Sequence, residues 1–480
     1  MKEEKLRAAA YIDAHADLFT GVSDTIWEYA ELSLREEKSA ALYCRVLREA
    51  GFSVQENLAG IPTAFSATVG SGRPHIGILG EFDALSGLSQ VGDMTVKQEL
   101  VPGGNGHGCG HNLLGAGALA AAFAVKEYLE RTKTPGTVTF FGCPGEEGGA
   151  GKAYLARDGA WRSLDAALTW HPGDTNEVTT GTCNSCIQVL YRFHGVASHA
   201  AAAPQEGRSA LDAVELMNVG VQFLREHMIP EARIHYAILD GGGVSPNVVQ
   251  PEASVLYMVR AIGVSDAIDL QKRVDKIAEG AALMTETTCD REFIDGTANY
   301  LPCHTLEQVL HANFLPEFLP EYTEEEYRFA EELRATFPVT PPHPLTYGGR
   351  HDPAFYKQEK LLTENWQKAL NDFLVPYYAG EDFTPGSSDV GDVSWQTPTA
   401  QFTAVTCPSG TPGHSWQNVS CGVSGIGHKG MLLAGKVLAA SVIDLLEEPA
   451  LLSAARKEFT EVSGRGYECP IPPDAVAHPV

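Results

Sequence analysis

Short apolar runs alternate with longer helical periodicities through the first third of the chain, the pattern of a mostly parallel sheet joined by helices. HIGIL at 75–79 predicts a buried strand, and the Ala-rich stretch 113–130 predicts a helix of about five turns. TVTFF at 137–141 and DAALTW at 165–170 predict two further buried strands. Each strand runs into a polar or glycine-rich segment: GEFDALSG, CPGEEGGAGK and HPG in turn.

After about residue 184 the pattern changes. Residues 188–193 alternate partially, 209–226 read as a helix with Leu211, Val214, Leu216, Met217 and Val221 on its apolar positions, and 266–285 as another helix. Together with strands at 234–239 and 253–259, this is the content of a small α/β sandwich, one layer of strands and one of helices. The signals weaken from about residue 290. The stretch 317–386 is Pro-rich and acidic without a period, and is expected to be surface elaboration of the main domain. TAQFTAV at 399–405 predicts a late strand, and 430–446 an amphipathic helix carrying Lys436 and Asp444. The expectation is an α/β fold: a mostly parallel-sheet domain built from 1–185 and 299–480, with the small α/β sandwich of 186–298 inserted between its halves.

A length of 480 residues fits this two-domain reading, because one hydrophobic core does not grow that large. Charge narrows the partners. With 35 Lys and Arg against 61 Asp and Glu, the formal net charge is -26, which argues against nucleic acid and anionic membrane surfaces. An anionic substrate has to be received by local cations. No segment reads as membrane-spanning, and the N-terminus MKEEKLRAAAYIDAHADLF has neither the apolar core nor the cleavage site of a signal peptide. Ten cysteines without secreted-scaffold spacing predict reduced thiols in the cytoplasm. Cys183 and Cys186 have CxxC spacing but no partner pair, and read as structural thiols.

The strand ends carry the chemistry. Loops at the carboxyl ends of strands in an open α/β sheet converge on one crevice. Cys109 and His111 are one residue apart among glycines, so both can face the same way, and thiolate with imidazole suits Zn²⁺, Mn²⁺ or Co²⁺. Glu146 and Glu147 are adjacent after the second strand and point in different directions; one can bind metal while the other reaches an attacking water. His171 follows the third strand, His414 lies in GTPGHSW beyond the late strand, and Asp83 is placed to orient a ligand imidazole. Singly each is weak: Cys-X-His is usually chance, and Glu-Glu is usually solvated surface. Their joint placement after consecutive buried strands is what predicts a site. Thiol catalysis by Cys109 is the competing chemistry, but a one-residue gap to His111 is poor geometry for a nucleophile and its base.

At these residues the chain resembles the aminoacylase and glutamate-carboxypeptidase family of co-catalytic metallohydrolases, in the Cys-Gly-His branch that includes the plant auxin-conjugate amidohydrolases. NGHGCGHNLLG, CPGEEGGAGK, LTWHP, GRSALDAV, SPNVVQ, AEGAALMTETT, SDVGDVSW and GHKGMLLA carry the resemblance through nearly the whole length. It implies two divalent ions, Mn²⁺ or Zn²⁺, held by Cys109, His111, Glu147, His171 and His414, with Glu146 as base. Many members have His-X-Asp where this chain has Glu81-Phe82-Asp83, and the resemblance implies that His111 takes the missing histidine's place. It further implies that the parallel-sheet domain is catalytic and that 186–298 is a lid and dimerisation domain. His199, Asn247 and Arg260 of that domain are implied to bind substrate, in part across a dimer, with His199 and Asn247 donating to an oxyanion or a carboxylate. Arg208 is expected to be structural. The implied reaction is hydrolysis of an amide between an acyl or aroyl group and an amino acid, with indole-acyl conjugates and dipeptides as alternatives. The implied assembly is a homodimer, or a heterodimer with a related subunit on which activity depends; a non-catalytic subunit is the other alternative, and the presence of every expected ligand and of the base argues against it.

Overall fold

A computed structural model describes residues 2–339, 353–380, 382–464 and 466–479. Among these residues thirteen strands lie in three sheets. In chain order they are β1 (Ser53–Glu56), β2 (Phe65–Ser71), β3 (His75–Glu81), β4 (Gly136–Cys143), β5 (Ala166–Gly173), β6 (Glu177–Val178), β7 (Thr182–Cys183), β8 (Ser185–His194), β9 (Arg233–Asp240), β10 (Glu252–Ala261), β11 (Thr288–Thr297), β12 (Phe383–Thr384) and β13 (Thr399–Val405).

The main sheet has the order β1-β2-β4-β3-β5-β13-β6. Its centre, β4-β3-β5-β13, is parallel, while β1, β2 and β6 pair antiparallel at the two edges. The parallel strands are buried on both faces, which is why they read as continuous apolar runs rather than alternating ones. They also extend past the apolar runs: β3 ends at Glu81, and β5 carries His171 inside its last residues rather than after them.

Helices His111–Thr132 and Gly425–Glu447 cover one face of this sheet, and Lys2–Ala14 packs on both of them to complete the main core. The first two approach closely because small residues line the contact. A Cβ added at Gly435 would stand 3.1 Å from both the Ala120 Cβ and the Gly117 carbonyl oxygen. The amphipathic expectation for 430–446 is corrected. Val437, Leu438, Val442, Ile443 and Leu445 are all buried, and the two charges that suggested a wet face are paired instead. Asp444 meets Lys5 at 2.7 Å and Lys436 meets Asp13 at 2.7 Å.

The inserted unit is a four-stranded antiparallel sheet, β11-β8-β10-β9, with helices Ala210–Leu224 and Val264–Thr285 packed on one face. Ser209 caps the first helix by accepting from the Asp212 N–H at 3.1 Å. The two-residue period of β8 and β10 turns Val189, Tyr191, Val255, Tyr257 and Val259 toward those helices. It leaves Gln188, Met258 and Arg260 on the other face, which looks into the cavity described below. The stretch 317–386 is more than surface cover. Residues 340–352 and 381 lie outside the described ones, but Phe318, Ala330, Leu333 and Leu370 are buried, and Thr384, Gly386 and Ser387 stand in the cavity wall.

Candidate metal centre

The carboxyl ends of β3, β4, β5 and β13 deliver side chains to a cavity of about 590 Å³ between the main sheet and the inserted unit. Cys109 enters from the loop before helix His111–Thr132. Gly110 between Cys109 and His111 has φ +78°, the left-handed region that glycine enters freely, and this turns the chain from the cysteine into the helix. A Cβ there would stand 3.0 Å from Pro172, so the turn also packs Cys109 against the end of β5. His414 itself sits at φ +52°, a conformation that a non-glycine residue holds only when its surroundings fix it.

The five expected ligands do converge. One donor atom from each of Cys109, His111 and His171 lies within 4.8 Å of the others, and so do donor atoms of Cys109, Glu147 and His414. Cys109 belongs to both of these, and His111 recurs in a third group with Glu81 and Glu146. The Cys109 sulfur is 3.3 Å from His171 Nε2, and His414 Nε2 is 3.3 Å from a Glu147 oxygen.

The far side of each buried imidazole is tied down. Asp83 accepts from His111 Nδ1 at 2.8 Å, and the Pro172 carbonyl accepts from His171 Nδ1 at 2.7 Å. With Nδ1 donating in this way, each imidazole leaves its Nε2 available as a metal ligand. Asp83 also accepts from Ser33 Oγ at 2.7 Å and from the Glu147 N–H at 2.9 Å, so one carboxylate positions two of the five. His111 Nε2 and Glu147 Oε1 are buried with no hydrogen-bond partner. Unpaired polar atoms are costly to bury, and a cation at each of the two donor groups would satisfy one of them. The donor set, a sulfur, three imidazoles and a carboxylate, fits Zn²⁺ or Mn²⁺.

Glu146 points into the same space. Burial, with the nearby Glu81 adding to it, holds its carboxyl well above the usual range. Burial also pushes the Cys109 thiol up to about 12. The Cys109–His171 contact by itself would also suit a thiol and its base. What separates the readings is that Glu147 and His414 reach the same sulfur, an arrangement a thiol nucleophile does not need.

A buried charge network behind the centre escaped the sequence reading. Lys152, wholly buried, lies 2.7 Å from Glu81 Oε1 and 2.5 Å from Asp389 Oδ1. Glu81 in turn stands 3.3 Å from His111 Nε2, so the lysine braces the floor of the centre. Burial opposes its charge, but Asp389 and Glu81 outweigh that and hold the ammonium well above its ordinary range. Lys152→Met strands two carboxylates without a counter-ion, and is expected to cost about 3–5 kcal/mol of stability. A urea midpoint equal to that of the wild type would contradict it. Glu36 performs a similar service from the other side, accepting from the Leu34 and Gly145 N–H groups at 2.9 Å each to fix the turn before Glu146.

The remaining expected residues fall into two sets. Arg260 faces the cavity and donates to Ser387 Oγ at 2.9 Å. His199 and Asn247 do not; both are exposed on the inserted unit, joined through the Ala200 N–H to Asn247 carbonyl bond and a bridge between His199 and Val248. A single chain does not bring them to the cavity. Arg208 pairs at the surface with Glu286 at 2.8 Å. Cys183 and Cys186, expected as structural thiols, stand in the cavity wall, and all ten cysteines are free thiols.

The chain is similar to known proteins along most of its length. A profile of peptidase family M20/M25/M40 matches residues 78–421. The chain is 44% identical over 479 residues to a subunit of the p-aminobenzoyl-glutamate hydrolase of Escherichia coli (strain K12), covering 98% of each. It is 28% identical over 472 residues to the Xaa-Arg dipeptidase of Mus musculus, covering 95% of this chain and 92% of that one. Its fold is that of a Bacillus subtilis dinuclear metal binding peptidase, at TM-score 0.55 and 16% identity over 91% of this chain and 99% of the other.

Proposed function

The chain belongs to peptidase family M20/M25/M40, whose members hydrolyse C–N amide bonds with metal, and on that premise we propose that its substrate is p-aminobenzoyl-glutamate, cleaved to p-aminobenzoate and glutamate. One observation carries the substrate: 44% identity to the Escherichia coli p-aminobenzoyl-glutamate hydrolase chain along almost the whole of both. The cavity supports it, because Cys109, Glu146, Glu147, His171, Arg260 and His414 all line it.

Two divalent ions, Mn²⁺ or Zn²⁺, would be held by His111 with His171 and by Glu147 with His414, Cys109 being shared between the two groups. Bound there, they lower the pKa of water toward about 7 and polarise the amide carbonyl. Glu146 takes the proton from the attacking water and returns it to the leaving nitrogen. Asp83 keeps His111 and the Glu147 backbone in place throughout. Arg260 is the only lysine or arginine among the described residues lining the cavity, and it receives a carboxylate of the amino-acid half.

His199 and Asn247 reach a cavity across an assembly interface in this reading. Helix Ala210–Leu224 exposes Leu216, Val219 and Phe223 along one stripe, the last 72% exposed, and the edge strand β9 exposes Tyr236, Ile238 and Leu239. These faces suit a second copy or a related subunit, and the naming of the Escherichia coli relative as one subunit of its hydrolase favours a related subunit. A cytoplasmic location is supported by the ten unpaired cysteines. Among the described residues no helix is long and apolar enough to cross a membrane.

The second reading, dipeptide hydrolysis, is favoured by the Mus musculus Xaa-Arg dipeptidase. Other N-acyl amino acids and indole-acyl conjugates complete the comparison set. Purified chain with Mn²⁺ or Zn²⁺, tested against that panel by absorbance and amino-acid release, is expected to give its highest kcat/KM on p-aminobenzoyl-glutamate. A dipeptide or an aliphatic N-acyl amino acid ranking first overturns the assignment. Full turnover by the single chain rules out an obligatory second subunit, and turnover only with a partner added establishes one.

A further inference from the structure

A smaller chamber of about 290 Å³ adjoins the central cavity and shares Thr179, Thr180, Thr384 and Thr403 with it as a common wall. It forms at the edge of the main sheet, where β6 pairs with β13 and sets Glu177 opposite Thr403. Helix Pro353–Asn365 brings Gln358 into the chamber lining, where its amide donates to Glu177 Oε1. Thr175 Oγ1 donates to the other Glu177 oxygen at 3.3 Å. Across the chamber, Asp382 accepts from the Tyr378 hydroxyl on one oxygen, while its Oδ1 is buried with no hydrogen-bond partner.

The two spaces have opposite character. Arg260 supplies the central cavity with a cation at the face of the inserted unit. The chamber offers two carboxylates and a set of hydroxyls, and no lysine, arginine or histidine among its described lining residues. An amino acid's carboxylates are repelled there and attracted to Arg260. The amino-acid half of the substrate is thereby assigned to the Arg260 side, which leaves the acyl half directed toward the chamber. Burial pushes the Glu177 carboxyl up to about 7, so the group does not demand a full positive charge as partner. A neutral N–H donor suffices to satisfy it.

We propose that Glu177 and Asp382 form a specificity pocket that accepts hydrogen bonds from an amino group at the far end of the substrate's acyl moiety. The pocket rests on the aroyl-amino-acid reading above, and refines it by naming the residues that would distinguish an aminobenzoyl from a plain benzoyl group. A buried site built to accept a hydrogen bond discriminates against the analogue that lacks the donor.

The full chain with Mn²⁺ is compared on 4-aminobenzoyl-glutamate and benzoyl-glutamate, which share a leaving group. The wild type is expected to favour the amino compound by about tenfold or more in kcat/KM. Glu177→Met should bring that ratio near one, and Glu177→Gln and Asp382→Asn should each lower it several-fold. Because both substrates are measured on one sample, the ratio does not depend on how much of a variant folds, and the conservative pair covers the case in which Glu177→Met yields no soluble protein. Equal kcat/KM for the two compounds in the wild type, or variants that keep the wild-type ratio, overturn this pocket alone. A wild type that cleaves neither compound, alone or with the related subunit added, overturns the aroyl-amino-acid reading and the pocket with it.

Discussion

Glu146→Gln is expected to bind metal as the wild type does and to lose about 10²–10⁴-fold in kcat, the range a positioned general base contributes. The substitution keeps the size of the side chain and removes only its ability to take a proton. Stability should not fall. The Glu146 carboxyl is crowded by burial and by Glu81, Asp389 and Glu147, and an amide relieves that repulsion. Thermal unfolding at or above the wild-type midpoint, together with a rate drop of that size, identifies a chemical defect. Wild-type turnover would remove Glu146 from the base role, whereas a low midpoint with a partial rate loss would mark it as structural.

Cys109→Ala is the second large effect. Its sulfur is the one donor common to both clusters, so its loss weakens both metal positions together. Removing a group that merely orients a ligand costs about 10–100-fold in affinity or activity, and removing a shared ligand should exceed the upper end of that range. His414→Ala touches only the Glu147 cluster, and His414 is 56% exposed, so its loss should be the milder of the two. Bound metal per chain, measured by mass spectrometry after dialysis, should order the proteins as wild type, His414→Ala, Cys109→Ala. Equal metal in Cys109→Ala and wild type contradicts the shared-ligand assignment.

The parts of this fold that were legible in the sequence are those whose signal is local. The strands at the centre of the main sheet, buried on both faces, stand out as apolar runs, and Glu147 and His171 follow or end such runs, while Cys109 and His111 stand at the start of the helix that covers them. β11 was hidden because TCDREFIDGT mixes charges into an edge strand of the inserted sheet and shows no alternation. Helix Gly425–Glu447 reads as half-wet because Lys436 and Asp444 imitate a solvated face, and nothing local shows that Asp13 and Lys5 wait for them. The same limit hid Lys152. A lysine in a glycine-rich loop reads as solvated, and its partner Asp389 lies 237 residues away. The motifs CPGEEGGAGK and SDVGDVSW contain both residues, and a lysine closing a glycine-rich acidic loop was the available clue. His199 and Asn247 mark the reverse case: they belong to recognisable motifs, yet one chain leaves them outside its own cavity.

Turnover tied to metal in a cavity centred on Cys109 is the claim on which the rest depends, and the most direct test removes the metal and counts it back. Purified chain is stripped with a chelator, dialysed, and titrated with Mn²⁺ or Zn²⁺ while bound metal and hydrolysis of p-aminobenzoyl-glutamate are read on the same samples. The expected result is no turnover in the stripped protein and recovery that saturates at two ions per chain, with Glu146→Gln taking up the same metal without recovering. Undiminished hydrolysis by the metal-free chain would contradict the account and return Cys109 and His171 to a thiol chemistry.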